Sequence, residues 1–242
     1  MALEDARDTG QDIYSIQVDF CSAFNTLDHD RLLQTMYDLG FPTDSIDVVL
    51  DLYSGATTEI KIGAFGMTEP IPMDRGNIQG DSLSPLLFLI YIEPLLRWLQ
   101  VGGRGHMFGC MKDQPDERIL NSLSGAAYAD DLAILTNNLS NLKIQAEKVS
   151  MYSDWAHMIV NDGKTKVTGV LYHSIEAGHC SKGEAMRRVR AQLENQIFIQ
   201  RKQVGYLDPR DPFRYLGANL TMTLDWRYQH QTLALKAKEK ID

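Results

Sequence analysis

The feature that most constrains the fold of this chain is a pair of adjacent aspartates between two short apolar segments. Asp130 and Asp131 follow residues 122–128 and precede residues 132–136, and both segments are rich in small and apolar residues. Such segments favour strands and Asp favours turns, so the pattern predicts a β-hairpin with the acids at its tip. A solvated turn would have the same pattern. Adjacent carboxylates repel each other unless a cation neutralises them, however, so the pair also predicts a Mg²⁺ site with a third carboxylate from elsewhere.

The composition fits a globular chain with an uneven distribution of charge. The 242 residues are 44% hydrophobic, which is enough for a proper core. The net charge of −8 argues against nucleic-acid binding, but residues 1–60 carry −10 and residues 61–242 carry +2. Residues 182–202 hold six basic side chains against two acids, so phosphate contacts are expected in this later part. A solvated basic helix face explains the same segment equally well.

The cysteines and histidines do not form a disulfide or zinc pattern. Cys21, Cys110 and Cys180 are too few and too scattered for a disulfide framework, which predicts an intracellular setting. His106 with Cys110 and His179 with Cys180 lack the regular spacing of a zinc site, and are interpreted as loop or core residues. The N-terminal region has no signal-peptide pattern, so we expect a protein that is nuclear or cytoplasmic and not secreted.

The order of the predicted elements indicates an α+β fold. A strand that ends near Asp19 is followed by two helices, a hairpin, a long helix, the acidic hairpin, a helix and a strand. This order predicts an antiparallel sheet with helices on one face. The long helix covers the apolar run 83–99, which its prolines and charges interrupt too often for a membrane span, and Asp81 or Ser82 is predicted to cap it. Residues 1–222 are predicted to form one domain, and residues 223–242 a C-terminal helix.

Five motifs in a fixed order resemble those of reverse transcriptases, most closely the non-LTR (LINE-like) retrotransposon branch. Their order makes them far more specific than a single tetrapeptide. In chain order they are Ile16-Gln17-Val18-Asp19-Phe20-Cys21-Ser22-Ala23-Phe24-Asn25-Thr26-Leu27-Asp28-His29, Arg75-Gly76-Asn77-Ile78-Gln79-Gly80-Asp81-Ser82-Leu83-Ser84-Pro85-Leu86-Leu87-Phe88, Tyr128-Ala129-Asp130-Asp131, Asn161-Asp162-Gly163-Lys164-Thr165-Lys166 and Phe213-Arg214-Tyr215-Leu216-Gly217.

The resemblance implies a polymerase palm with a ferredoxin-like core. The implied activity is RNA-directed DNA synthesis, in which two Mg²⁺ (or Mn²⁺) ions assist transfer of a nucleotide from a dNTP to a primer 3′-OH on an RNA template. The fingers and thumb are expected to be largely absent, with residues 223–242 leading towards a missing thumb, so little primer extension is expected from this chain alone. The alternative is an inactive truncated or domesticated retroelement remnant that keeps the fold. No membrane partner is expected.

The resemblance also implies roles for individual acids and a lysine. Asp19, Asp130 and Asp131 would be catalytic metal ligands, together with the backbone carbonyl of Phe20. Lys164 would act on the leaving pyrophosphate as an acid or electrostatic partner. The simpler interpretations are a strand-terminating turn residue for Asp19 and a solvated strand-end lysine for Lys164.

The remaining motif residues would contact the nucleotide and the primer. Phe24 matches the aromatic gate that excludes a 2′-hydroxyl, although a core Phe is also plausible. Gln79 and Gly80 match the loop that contacts the incoming nucleotide. Primer contacts are implied for Tyr128 and for Tyr215, Leu216 and Gly217.

Overall fold

The computed structural model describes residues 2–63, 66–78, 80–109, 122–215 and 218–238. Its strands are β1 (Ile13–Val18), β2 (Thr57–Thr58), β3 (Ile71–Pro72), β4 (His106–Met107), β5 (Ser122–Leu123), β6 (Gly125–Tyr128), β7 (Asp131–Thr136), β8 (Lys166–Val170), β9 (Phe198–Ile199), β10 (Lys202–Gln203), β11 (Gly205–Tyr206), β12 (Phe213–Tyr215) and β13 (Ala218–Leu220). Its helices are α1 (Ala2–Asp8), α2 (Ala23–Thr26), α3 (His29–Asp38), α4 (Thr43–Tyr53), α5 (Ser84–Gln100), α6 (Leu139–Trp155), α7 (Tyr172–Glu176), α8 (Lys182–Leu193) and α9 (Arg227–Lys238).

Within the described residues, the largest sheet has five strands in the order β11-β8-β1-β7-β6. Neighbouring strands are antiparallel, except that β11 runs parallel to β8. Four of these strands and two helices occur in the chain order β1, α5, β6, β7, α6 and β8, with α2–α4 and β2–β5 inserted between them, which is the β-α-β-β-α-β order of a ferredoxin-like unit. The structure thus confirms the predicted antiparallel sheet and the palm-like core.

The two faces of β1 have different surroundings. Tyr14, Ile16 and Val18 are buried in the main core, which also contains the apolar sides of α5 and α6. This face therefore carries the helices, as predicted. On the opposite face α1 covers only the end far from Asp19, where its Leu3 packs near Ile13. The end of the sheet next to Asp19 is not covered by α1 and borders a cleft.

The long apolar segment forms α5 and its side chains occupy the centre of the main core. Phe88, Tyr91 and Leu95 are fully buried, and each such side chain contributes about 1.5–3 kcal/mol by leaving water. The Tyr91 hydroxyl donates to the Ala156 carbonyl, and the Tyr152 hydroxyl donates to the Tyr91 carbonyl. These bonds fix α5 against α6. In the part of the chain that the structure describes, no helix is long and apolar enough to cross a membrane.

The N-terminal end of α5 is not capped as the sequence suggested. The residue at the N-cap is Leu83, which makes no side-chain capping bond, and Pro85 lies in the first turn. Asp81 instead accepts the backbone N–H of Leu83, so capping of the helix by Asp81 or Ser82 was a wrong prediction. A local pattern could not show that the chain makes a further turn before the helix begins.

The basic segment near residue 190 forms α8, which packs on β8. Val189 of α8 is buried. On the exposed side, Arg188 pairs with Glu184 and Arg190 pairs with Glu194, each at 2.8 Å. Part of its positive charge is therefore neutralised on the helix itself. Whether this face also contacts phosphates stays a prediction, as does the domain boundary at residue 222.

One of the two histidines considered for a zinc site is a core residue. His106 is fully buried, and its Nε2 lies 2.8 Å from the Asp5 carboxylate. Burial lowers the pKa of His106, although the Asp5 contact partly opposes that shift. Cys110 lies outside the described residues, while Cys21 and Cys180 are free thiols.

The loop that precedes α5 is fixed to α2 by its backbone. The N–H of Gly76 donates to the Leu27 carbonyl at 2.7 Å, and the N–H of Asn77 donates to the Phe24 carbonyl at 2.8 Å. Gly76 has φ of 89°, and a Cβ there would lie 2.8 Å from the Asn25 carbonyl oxygen. Only glycine fits this close approach without displacing α2.

We expect Gly76→Ala to destabilise the chain by about 2–4 kcal/mol, because it adds a backbone clash to the cost of a positive φ. Gly40→Ala is the matched control, since Gly40 has φ of 80° but no atom within 4 Å of its missing Cβ. The control should lose only about 1–2 kcal/mol. Urea unfolding monitored by circular dichroism measures both. Equal losses would show that the contact with α2 is not tight.

Candidate active site

The sheet register brings Asp19 and Asp131 to the same edge. Val18 pairs with Leu132, so the next pair in the antiparallel ladder places Asp19 opposite Asp131 and on the same side of the sheet. Tyr128 pairs with Asp131, which leaves Ala129 and Asp130 as the turn. The acids are therefore divided between the turn and the start of β7, whereas the sequence predicted both at the tip. The three carboxylates nevertheless share one edge.

The electrostatic environment of Asp131 includes both other acids. The pKa of Asp131 is raised, mainly by burial and then by the negative charges of Asp130 and Asp19. Arg214 and Lys164 oppose this shift in part. The edge thus concentrates negative charge that only a nearby cation can offset.

Lys164 supplies part of that positive charge. Its Nζ lies 3.5 Å from Oδ2 of Asp19, an ion-pair distance. The same Oδ2 is buried and accepts no hydrogen bond within the described residues. A buried carboxylate oxygen without a hydrogen-bond donor is costly unless a cation contacts it. Lys164 alone is mostly exposed and cannot fully provide this compensation.

The donor set fits a divalent metal, although it is not assembled as a closed cage. The acids of this edge offer several hard oxygen atoms, as Mg²⁺ and Mn²⁺ require. Among the described residues, no three His, Cys, Asp or Glu side chains are already grouped to hold a metal ion. Metal binding would therefore draw the carboxylates closer together, because the charge of the ion offsets their mutual repulsion.

The backbone of Phe20 also faces this edge. Phe20 forms an antiparallel bridge with Val160, and the flanking bonds run from Cys21 N–H to Ile159 and from Asn161 N–H to Asp19, each 2.8 Å. In this type of pair the central residue directs its own N–H and C=O away from its partner. The Phe20 carbonyl is therefore directed to the β7 side, as the predicted metal contact requires.

Two residues that sequence reasoning missed hold the backbone of Asp19. The Asp19 N–H donates to Oγ1 of Thr165 at 3.2 Å, and the Asp19 carbonyl accepts the Asn161 N–H at 2.8 Å. Thr165 is fully buried. Both belong to the sequence motif that contains Lys164. Their place in that motif was the signal available from the sequence. Neither of them was assigned an individual role from the sequence.

Phe24 fits both interpretations of its role. Its ring stacks on Phe88 with centroids 4.7 Å apart, so it is anchored to the main core. It is also half-buried, and it lines a cavity of about 400 Å³ together with Ile78, Gly80 and Asp81. The structure thus brings Phe24 and Gly80 to the same cavity. Gln79 lies outside the described residues.

A larger cleft of about 640 Å³ lies beside the acids. Its lining includes Asp19, Asp131, Lys164, Arg214 and Tyr215. Arg214 was not singled out from the sequence, where it is one basic residue among several, yet it is close enough to influence the Asp131 carboxyl.

The predicted primer contacts are divided between the cleft and its border. Tyr215 lines the cleft, and the pKa of its hydroxyl is raised by burial and by Asp131. Tyr128 is 66% exposed at the end of the edge strand β6. Leu216 and Gly217 lie outside the described residues.

Comparison with known proteins identifies the family. The family described as "Reverse transcriptase (RNA-dependent DNA polymerase)" matches residues 2–220. The chain is 25% identical over 213 residues to the Retrovirus-related Pol polyprotein from type-2 retrotransposable element R2DM of Drosophila melanogaster. It is 29% identical over 171 residues to the Transposon TX1 uncharacterized 149 kDa protein of Xenopus laevis. These matches cover 87% and 71% of this chain but only 18% and 12% of the relatives.

Solved structures support the same fold. Apo telomerase from Candida tropicalis, truncated from the C-terminal domain, aligns with a TM-score of 0.54 and 15% identity, covering 93% of this chain and 37% of that one. Telomerase from the same organism, in complex with a TWJ fragment of telomeric RNA, aligns with a TM-score of 0.53 and 14% identity, covering 93% and 31%. With its motifs in family order and the family model matching residues 2–220, this chain belongs to the reverse transcriptase family, as a domain of the non-LTR retrotransposon branch.

Proposed function

We propose that this chain forms the catalytic palm of an RNA-directed DNA polymerase. It would transfer a nucleotide from a dNTP to a primer 3′-OH on an RNA template, with two Mg²⁺ ions that Mn²⁺ can replace. The observation that carries this proposal is that Asp19 and Asp131, next to the last β1–β7 pair, line one cleft, with Asp130 in the adjoining turn. Reverse transcriptases as a family use divalent metal ions, and these oxygens are suitable ligands.

The carboxylates provide the negative centre that such chemistry needs. Bound divalent ions would stabilise the attacking and leaving oxygens of nucleotidyl transfer. Asp19 and Asp130 would be the principal ligands, with Asp131 and the Phe20 carbonyl completing the set. Lys164, whose Nζ lies 3.5 Å from Oδ2 of Asp19, would neutralise or protonate the departing pyrophosphate.

Neighbouring surfaces fit the nucleotide and the primer. The cavity beside Phe24 and Gly80 would hold the incoming sugar, with the ring excluding a 2′-hydroxyl. The cleft beside Arg214 and Tyr215 would hold the primer end, since its cation suits a phosphate. Template and dNTPs occur inside cells, which supports a nuclear or cytoplasmic setting.

We expect Mg²⁺ or Mn²⁺ to raise the melting temperature of the chain. A metal at ten times its Kd stabilises the folded state by about 1.4 kcal/mol, or roughly 3–6 °C for a chain of this size. Replacing both Asp19 and Asp130 by Asn should abolish the shift and raise the melting temperature in EDTA, because repulsion is relieved.

Differential scanning fluorimetry measures these melting temperatures. Asp47→Asn, on the exposed side of α4, is the control and should keep the metal shift. A double variant that still responds to metal as the parent does would place the metal elsewhere.

Asp131 should make the metal-free chain less stable as pH rises. The pKa of Asp131 is raised in the folded state above its ordinary value of 3.8. The protonated Asp131 carboxyl therefore contributes stability below pH 3.8, and this contribution is lost as pH rises through the raised pKa of the folded state. In EDTA, Asp131→Asn should therefore melt at a higher temperature than the parent at pH 7. The difference should shrink as pH falls towards 4. A difference that does not change with pH would contradict the burial and repulsion assigned to Asp131.

Primer extension tests the catalytic function, and separates it from an inactive remnant. In a polymerase that carries this chain, extension of a DNA primer on an RNA template should require Mg²⁺ or Mn²⁺. Asp130→Asn should reduce the rate by at least about a hundredfold, because positioned charge provides most of this catalysis. Phe24→Ala should admit ribonucleotides, while Phe24→Tyr, which keeps the ring, should not. Activity that survives Asp130→Asn would refute the proposed site.

A further inference from the structure

Gln200 occupies a backbone position that its residue type does not favour. Gln200 and Arg201 form the two-residue turn between β9 and β10, with φ of 48° and 62°. Hairpin turns with two positive φ angles normally use Asn, Asp or Gly, because other side chains are strained there. Arg201 is exposed, whereas Gln200 is half-buried. The contacts of the Gln200 side chain therefore have to offset this strain.

The Gln200 amide group makes three hydrogen bonds. Its Nε2 donates to the Met158 carbonyl at 2.9 Å and to the Asp154 carboxylate at 2.8 Å. Its Oε1 accepts the Val160 N–H at 2.8 Å. In addition, the Gln200 backbone N–H donates to Oγ of Ser150 at 2.8 Å. One side chain thus ties the last turns of α6 to the segment that leaves the helix.

The same segment holds the Asp19 end of β1 on its other side. Residues 158–161 alternate their hydrogen bonds, as a strand does. Met158 and Val160 bond to Gln200, whereas Ile159 bonds to Cys21 and Asn161 bonds to Asp19. The segment therefore lies between the Gln200 amide and the backbone of residues 19–21, and it is hydrogen-bonded to both.

From this arrangement we infer that Gln200 is a positioning residue for the candidate active site, an inference that rests on the proposed function of its carboxylate edge. Gln200 contacts none of the three acids. It fixes residues 158–161, and through them the main chain of Asp19 and the Phe20 carbonyl. A site of this kind depends on such outer contacts, whose loss commonly weakens metal binding by about 10–100-fold.

The first test is hydrogen exchange of backbone amides in the metal-free chain, measured by NMR. Gln200→Gly removes all three side-chain hydrogen bonds and also relieves the positive φ. Exchange at Val160 should accelerate by at least about tenfold, since its acceptor is lost, and exchange at Asn161 and Cys21 should follow. Amides at the far end of the sheet, such as that of Tyr14, should exchange as in the parent.

Arg201→Gly is the matched control. It relieves the same backbone strain one residue later but leaves the Gln200 side chain in place. It should raise the melting temperature and leave exchange at Val160, Asn161 and Cys21 unchanged. Gln200→Met is the second variant, since it keeps the approximate side-chain length but replaces both the amide oxygen that accepts from Val160 and the amide nitrogen that donates to Met158. It should reproduce the local acceleration even if Gln200→Gly fails to fold.

The second test is a Mn²⁺ titration followed by electron paramagnetic resonance. We expect both Gln200 variants to weaken Mn²⁺ binding by about tenfold, and Arg201→Gly to leave it unchanged. Unaltered exchange at Asn161 and Cys21 in folded Gln200 variants would overturn the positioning role, as would uniform acceleration throughout the sheet. A parent that binds no Mn²⁺ would refute the proposed metal site, and the exchange measurements would still decide the role of Gln200.

Discussion

The pairing of β1 with β7 is the interaction on which the candidate site depends. Its register places Asp19 opposite Asp131, although two carboxylates in neighbouring strands repel each other. The buried side chains on the other face of these strands, such as Ile16 and Leu132, stabilise the register against this repulsion. A slip by one residue would move every side chain to the opposite face. The apolar core therefore maintains an arrangement of charges that would not form by itself.

The main chain around Asp19 is held by hydrogen bonds from outside the sheet. Thr165 and Asn161 bond to Asp19 itself, while Gln200 secures the segment that contains Asn161. Rigid support of this kind lets a carboxylate remain in place without a hydrogen bond to one of its own oxygens. The Asp19 carboxylate is thus left available for a cation, whereas its backbone is fully engaged.

A second buried polar network fixes the loop beside Phe24. The Tyr53 hydroxyl donates to the Asn77 side chain at 3.0 Å, and Asn77 donates to the Ser84 carbonyl at 2.9 Å. Both bonds are buried, where an unpaired polar group would be costly, so the network specifies one loop conformation. It connects α4, the loop around Gly76 and the start of α5. The conformation of the cavity beside Phe24 therefore depends on α4 as well as on the motif residues.

The sequence alone determined the elements whose signals are local. The apolar run of α5, the strand before Asp19 and the hairpin with its aspartates follow from periodicity and turn chemistry, and the order of the motifs indicated the family. Only the tertiary structure decided what surrounds Asp19, because Thr165 is 146 residues from it and Gln200 is 40 residues from Val160. Hydrogen bonds over such separations depend on how packed elements align, and a polar residue in a loop has the same local pattern with or without them.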